Sequence, residues 1–248
     1  MWAFESPTAK KTIAIPFSGK FFTTDNLGNV FFVQKDNSIE KLNKDGKIVA
    51  KTNFKIYGNL TQLDVSNPFQ IYAYYRDQQT LLILDNMLGL QHEINMAEMS
   101  TSEIASAIRS FNNNIWCFDA ASMKLKRVTF LLNTEAESQP FGLWTTEKWN
   151  PQMMLDNETN VFVYDSVQGF SIFDEFGNYY KSIDIKGLSQ FQVKKENILW
   201  YKNHTLSSYN YKYFKTDTLA IDSFASCVRL EENQLYSWKN DTLKIIFK

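Results

Sequence analysis

Few residues of this chain have the types and spacing that catalysis requires. It contains two histidines, His92 and His204, and two cysteines, Cys117 and Cys227, all far apart in the sequence. A nucleophilic Ser or Cys needs an orienting base, and a zinc site usually needs several such ligands close together. No G-x-S-x-G elbow and no glycine-rich phosphate loop occurs in the sequence. We therefore expect two buried thiols, no catalytic residue, no bound metal and no cofactor.

Three aspartates recur at the same place in similar segments, just before a polar turn: Asp25, Asp64 and Asp156. One interpretation is a ring of acidic groups that surrounds a common axis. The other is that each aspartate bonds to the backbone of its own turn, which is what Asp commonly does at this position. The second interpretation is favoured.

The elements that must position these residues form a repeat. An apolar strand, a polar turn with Asn and an aromatic-rich strand recur around Asn29, Asn67, Asn114, Asn160, Asn197 and Asn233. A third apolar segment follows each copy, and a fourth strand follows in the better-kept copies, as in "KDGKIVAKTNF". Four short strands in about 41 residues are typical of a β-propeller blade.

Six such units predict one all-β domain, a six-bladed β-propeller of four-stranded antiparallel blades. The sixth unit stops after three strands, whereas "KKTIAIPF" supplies a spare strand before the first. We predict that this N-terminal strand joins the last blade and closes the fold, with Pro16 tolerated on an outer edge. The predicted blades span about 17–57, 58–98, 101–132, 149–186, 187–223 and 224–248 with 10–17.

Two segments need a choice. Ser100 and Glu103 have capping-box spacing, which permits a short helix, but the register of the other blades favours a strand after them. Residues 133–148 are the longest irregular stretch, and we expect them to be a loop that connects blades three and four.

Residues 23–49, "TTDNLGNVFFVQKDNSIEKLNKDGKIV", carry the clearest family pattern, with a weaker one in residues 155–185. The chain resembles six-bladed propellers of the NHL and TolB-like kind. The resemblance implies a docking platform in most members and a calcium-dependent hydrolase in a minority. Such hydrolases hold metal at the starts of the inner strands, which here lie near Lys20, Thr61, Glu103, Gln152, Gln190 and Ser226. Among these six positions Glu103 is the one carboxylate and Lys20 adds a positive charge, which does not suit calcium. A hydrolase with a degenerate metal site therefore ranks third among the possible functions.

Composition excludes some partners and leaves location open. The net charge is −1, with 26 basic and 27 acidic residues, so no basic field favours nucleic acid. No apolar run is long enough to span a membrane. We expect an exported, periplasmic protein that lacks its signal peptide here, and the alternative is a cytoplasmic protein, which suits two unpaired cysteines.

The loops that lead into each blade, and the turns between second and third strands, share one end of a blade. Trp, Tyr and Arg are enriched at interface hot spots, and either such a surface binds a protein partner or the tryptophans pack under their own loop. The residues predicted on this loop face are Tyr57, Tyr75, Arg76, Trp144, Trp149, Lys202 and His204.

The sequence therefore favours a non-enzymatic protein-interaction scaffold, within a bacterial envelope assembly. The alternative is glycan or small-ligand binding at the mouth of the channel, where aromatic side chains would stack on sugar rings.

Overall fold

The structure, a computed structural model, describes residues 11–99, 103–143, 145–220, 225–231 and 234–247. Within these residues the chain forms six four-stranded antiparallel sheets, which are the blades of a six-bladed β-propeller. The all-β, six-bladed prediction is confirmed. The blades fall into two compact units. The first unit contains blades one, five and six, and the second, Asn53–Gly187, contains blades two, three and four.

The strands follow the chain in blade order, and short 3-10 helices occur at Lys55–Tyr57, Arg76–Gln78, Met96–Met99 and Phe141–Leu143. The first half of the chain contains β1 (Lys11–Pro16), β2 (Gly19–Thr24), β3 (Val30–Gln34), β4 (Ile39–Leu42), β5 (Ile48–Thr52), β6 (Gln62–Asp64), β7 (Ile71–Tyr75), β8 (Thr80–Leu84), β9 (Leu90–Asn95), β10 (Ile104–Arg109), β11 (Ile115–Asp119), β12 (Lys124–Val128) and β13 (Thr134–Glu137). The second half contains β14 (Met153–Asp156), β15 (Asn160–Asp165), β16 (Gly169–Asp174), β17 (Tyr179–Ile183), β18 (Gln192–Lys194), β19 (Asn197–Lys202), β20 (Thr205–Asn210), β21 (Lys215–Ala220), β22 (Cys227–Glu231), β23 (Gln234–Lys239) and β24 (Thr242–Phe247).

The N-terminal strand completes the last blade, as predicted. β1 pairs antiparallel with β24 from Lys11 opposite Phe247 to Pro16 opposite Thr242, in the sheet order β1-β24-β23-β22. Pro16 therefore lies on an outer edge strand, where its missing N–H is tolerated. Ile13 and Ile15 pack against the apolar core of this blade, so burial adds to the backbone pairing.

The core of each unit lies between the faces of neighbouring blades. In the second unit, one cluster joins blades two and three around Tyr74, Leu81 and Ile115. Another joins blades three and four around Trp116 and Phe173. The second strands β3, β7, β11 and β15 are buried at nearly every position, and for this reason they read as continuous apolar runs rather than as an alternation.

Two local choices made from the sequence have different outcomes. Ile104–Arg109 is a strand paired with β11, which confirms the strand over the helix, while Ser100 lies outside the described residues. The expectation of an irregular loop over 133–148 is wrong in part, because Thr134–Glu137 is the fourth strand of blade three. Its sequence, "TEAE", is polar and mostly exposed, so backbone pairing with β12 holds it rather than burial, and no hydrophobic pattern marks it.

Several turns between third and fourth strands need a residue with left-handed backbone angles. Gly177 supplies one with φ of 85°, whereas in blade five a bulky residue, Phe214, has φ of 57°. A side chain with a Cβ atom in this region costs about 1–2 kcal/mol relative to glycine. Phe214 is largely exposed, so little burial offsets that cost.

We predict that Phe214→Gly raises the free energy of unfolding by about 1 kcal/mol, because the left-handed strain disappears and little packing is lost. Chemical denaturation of both proteins measures this difference. Gly177→Ala is the matched control and should lower the stability, since its Cβ would also lie 3.2 Å from the backbone of Glu137. A Phe214→Gly protein less stable than the parent would show that the phenyl ring stabilises this turn.

Candidate functional site

The predicted loop-face residues divide between the two units. Tyr57, Tyr75, Arg76 and Trp149 belong to the second unit, and Lys202 and His204 belong to the first. Trp144 lies outside the described residues. Because strands one and three of a blade start at the same end, the loop into the blade and its second-to-third-strand turn lie together there. We call this the loop end, and the opposite end the turn end.

Two of the predicted contact residues are buried, which corrects their assignment to an exposed surface. Tyr75 ends the middle strand β7 and is 0% exposed, and Trp149 is 4% exposed. The indole of Trp149 meets the Phe141 ring edge-on at 5.2 Å. Trp149 therefore belongs to the core under its own loop, which is the other interpretation that the sequence left open. Tyr75 and Trp149 are buried because adjacent blades leave room for large rings between them.

Arg76 remains at the surface and connects three blades of the second unit. Its Nε donates to a carboxylate oxygen of Glu103, at the start of blade three. Its Nη2 donates to the side-chain oxygen of Asn150, before blade four, at 2.7 Å. The Arg76 side chain is 21% exposed and that of Glu103 is 48% exposed, so the pair is held in place yet remains open to solvent.

The loop into blade four is fixed from the other side by Asp165. Its Oδ2 accepts the backbone N–H of Asn150 at 2.8 Å, and its Oδ1 accepts those of Val167 and Gln168. Gln152 adds a bond from its amide to the Asn150 carbonyl. Because this carboxylate is 3% exposed, the loop has a buried anchor. The result is a rigid polar network across the loop end.

Three apolar side chains stand exposed at the same end of the unit as this network, and sequence reasoning missed them. Ile56 is 81% exposed, Leu143 is 70% exposed and Val167 is 68% exposed. Each lies in a loop or turn at the loop end of the second unit. Hydrophobic periodicity identifies strands and carries no information on single residues in loops. The one sign of these exposed side chains in the sequence was an apolar residue among residues typical of loops.

Tyr57 completes the network near Ile56. Its hydroxyl donates to Glu93 at 2.7 Å, and its ring lies 5.6 Å from that of Tyr75. The hydrogen bond to Glu93 is the main reason that the pKa of Tyr57 rises to about 12. Tyr57 therefore stays protonated and acts as a donor in any physiological condition.

The starts of the inner strands hold no obvious metal ligand set. Lys20 donates to Asn37, Thr61 donates to the Tyr74 carbonyl, and Gln190 accepts from the Cys227 thiol. Within the described part of the chain, no group of three or more His, Cys, Asp or Glu residues could hold a metal ion. Glu103 is occupied by Arg76, as described above. The arrangement provides hydrogen bonds between neighbouring elements and not a cation cage.

The recurring aspartates cap their own turns, as predicted, and two of them, Asp64 and Asp156, also bind a neighbouring blade. Asp25 accepts the N–H groups of Leu27 and Asn29. Asp64 caps Ser66, and its second oxygen accepts the backbone N–H of Arg109 at 3.0 Å. The residue types alone could not indicate this cross-blade role, which depends on how close the inner strands lie.

Asp156 makes the stronger of these cross-blade contacts. Its Oδ2 accepts the backbone N–H of Phe111 and the indole N–H of Trp116, both at 3.0 Å, and its Oδ1 accepts the N–H of Glu158. Burial raises the pKa of Asp156 to about 6, although these N–H donors act in the opposite direction. Its protonation thus changes within a range of mildly acidic pH.

The histidines and cysteines lie as expected from the sequence. His92 is on the outer strand β9, with its ring 5.2 Å from Phe130, and His204 is in the turn between β19 and β20. Cys117 and Cys227 are free and buried, which confirms that prediction. Burial raises the pKa of both thiols to about 12, so neither supplies a thiolate nucleophile near neutral pH.

Comparison with solved structures agrees with the fold. The chain is similar to virginiamycin B lyase from Staphylococcus aureus (TM-score 0.63, 11% identity, 96% of this chain and 99% of that one). It is also similar to BamB from Moraxella catarrhalis (TM-score 0.51, 11% identity, 89% and 70%). A third match is the extracellular domain of a one-component system from B. thetaiotaomicron (TM-score 0.57, 12% identity, 91% and 32%).

No protein-family model matches the chain, and no curated protein matches it either. At such low identities the structural likeness shows the propeller fold and not a shared activity, because this fold carries many unrelated functions.

We predict that the indole N–H resonance of Trp116 titrates with a midpoint near pH 6, as its acceptor Asp156 changes charge. The pKa of Asp156 is higher in the folded than in the unfolded chain, so the folded state holds an extra proton between about pH 4 and 6. The free energy of unfolding should therefore fall as pH rises through this window, on the order of 2 kcal/mol.

Asp156→Asn should remove this part of the pH dependence, which urea unfolding at several pH values measures. Asp174→Asn is the control, because it makes the same chemical change at an exposed turn of the same blade, and the Trp116 resonance should still titrate in that variant. A Trp116 resonance that stays constant from pH 4 to 8 would contradict the assignment.

Proposed function

We propose that this protein is a non-enzymatic docking module that binds a protein partner through the loop end of its second unit. The observation that carries this proposal is the exposure of Ile56, Leu143 and Val167 at the same end of the unit as the network of Arg76, Glu103 and Asn150. Protein interfaces have an apolar core and are enriched in arginine relative to the rest of the surface.

The rigidity of the network favours binding. A side chain or loop that must be ordered on association costs about 0.5–1.5 kcal/mol for each immobilised side chain. Here Asp165 holds the loop into blade four, and Arg76 already has its hydrogen-bond partners. A partner would therefore meet a surface organised in advance, with apolar groups to cover and the second carboxylate oxygen of Glu103 as an acceptor.

The chemistry of the described residues supports a binding role over catalysis. The buried thiols are poor nucleophiles, the two histidines belong to different units, and the carboxylates at the loop end are engaged in hydrogen bonds. The likeness to a lyase concerns the fold, as stated above, and brings no residue of that enzyme to this chain.

We also infer an exported bacterial protein of the NHL and TolB-like kind, working in an envelope assembly. The support is the family pattern in residues 23–49 and the likeness to the extracellular domain of a bacterial protein. Among the described residues there is no helix with the length and hydropathy of a membrane span.

We predict that a tagged full-length protein captures a stoichiometric partner from the source organism, identified by mass spectrometry. Leu143→Ser and Ile56→Ser should each weaken capture about fivefold or more, because loss of an interface anchor costs about 1 kcal/mol or more. Leu131→Ser is the matched control: this leucine is 84% exposed, but it lies at the turn end of blade three.

Capture that depends on Leu131 and not on Leu143 would move the interface to the turn end and refute the proposed surface. Absence of any protein partner, repeated with crosslinking, would refute protein docking and favour the glycan or small-ligand alternative. A glycan array with the same variants would then test that alternative directly.

A further inference from the structure

A polar cluster lies on the inner strands of the first unit and shares no residue with the network described above. Strand β22 contributes Arg229 and Glu231, two residues apart and therefore on one face of the strand. Strand β18 contributes Gln192 and Lys194 in the same way, and Thr24 ends β2. We call these five residues the inner-strand cluster.

Glu231 organises this cluster and is only 8% exposed. One of its carboxylate oxygens accepts the Thr24 hydroxyl and, at 3.2 Å, the Gln192 amide. The other accepts the ammonium group of Lys194. Glu231 thus forms an ion pair with Lys194 and accepts hydrogen bonds from two neutral donors.

Arg229 is left without a charged partner in direct contact. Its Nε donates to the Thr24 hydroxyl oxygen at 3.0 Å. No described residue accepts a hydrogen bond from its Nη groups, and no described carboxylate lies within ion-pair distance of it. Counted over these five residues, the cluster has two positive charges and one negative, a net charge of +1, and the nearby charge of Glu231 offsets only part of the effect of burial on the Arg229 pKa.

The surroundings make this excess charge important. Arg229 is partly exposed, yet protein atoms surround it closely enough that burial lowers its pKa. A guanidinium that has lost much of its hydration gains more from an anion than an exposed one does, since the local dielectric constant is lower. Its planar Nη pair matches the two oxygens of a carboxylate or a phosphate.

The neighbouring contacts also fix the direction of this pair. Thr24 accepts from Nε and donates to Glu231, so it holds one edge of the guanidinium, and no described residue accepts from the Nη groups. Gln192 cannot compete for the same groups, because its oxygen accepts the Leu230 N–H at 2.9 Å and its nitrogen donates to Glu231. The site is therefore oriented by its own hydrogen bonds.

We propose that the inner-strand cluster binds an oxyanion, a carboxylate or a phosphate group, on the Nη edge of Arg229, with Lys194 adding a second positive charge. This site is separate from the docking surface of the second unit. It goes beyond the proposed function, because it assigns a small anionic ligand or an acidic group of a larger one.

Isothermal titration of the purified full-length protein tests this, with inorganic phosphate and acetate as separate probes and chloride at matched ionic strength as the reference. We expect saturable binding of phosphate, acetate or both. Arg229→Gln keeps a donor but loses the charge and the paired Nη groups, and it should raise the dissociation constant at least tenfold. Lys194→Gln should raise it severalfold.

Lys47→Gln is the matched control, because it removes one exposed lysine from the same unit and should leave binding unchanged. If Arg229→Gln does not fold, the guanidinium ¹⁵N resonances of the parent protein replace it, and those of Arg229 should shift saturably with phosphate. Binding of phosphate alone indicates a phosphate ester, and binding of both probes indicates a general oxyanion site. No saturable binding, or equal binding by Arg229→Gln, overturns the proposal.

Discussion

Each blade must cover the apolar face of its neighbour, and the rest of the structure depends on this packing. A four-stranded sheet of about 20 residues cannot bury both of its faces alone, so repeated blades are stable only when stacked. The interblade clusters around Ile115 and around Trp116 are the direct expression of this requirement in the second unit. The middle strands are buried on both faces, which leaves loops and turns as the variable surface.

Polar side chains at the inner strands reinforce that packing in both units. In the second unit, Gln62 bonds to Ser106 of blade three and to the Met154 carbonyl of blade four, and Asp64 and Asp156 receive N–H groups from blade three. In the first unit, Gln192 bonds to both the N–H and the carbonyl of Leu230. Such buried groups are stabilising only when their hydrogen bonds are complete, which specifies how neighbouring blades align.

The sequence predicted the blades well because turn chemistry and strand pattern are local properties. Asn and Asp in the turns, and apolar strands between them, identified the six repeats and the closing strand at Lys11–Pro16. The same reasoning failed where tertiary contacts decide. Thr134–Glu137 is held by backbone pairing, which its polar side chains do not indicate in the sequence. Trp149 is buried because Phe141 covers it. The exposed Ile56 and Leu143 differ from buried residues of the same type only in their surroundings.

The two proposed sites differ in whether the charge of their arginine is compensated within its polar network. At the loop end of the second unit, Arg76 finds both a carboxylate and an amide, so its charge is compensated and its role is to hold Glu103 and Asn150 in place. In the inner-strand cluster, the nearest carboxylate, that of Glu231, already binds Lys194. The guanidinium of Arg229 therefore has no carboxylate in direct contact. A compensated network favours a rigid surface for a neutral, apolar partner. A network with excess charge in a partly enclosed position favours an anion, because only an opposite charge recovers the lost hydration of the guanidinium. Since the two networks share no residue and no hydrogen-bond partner, substitutions in one should leave binding at the other intact.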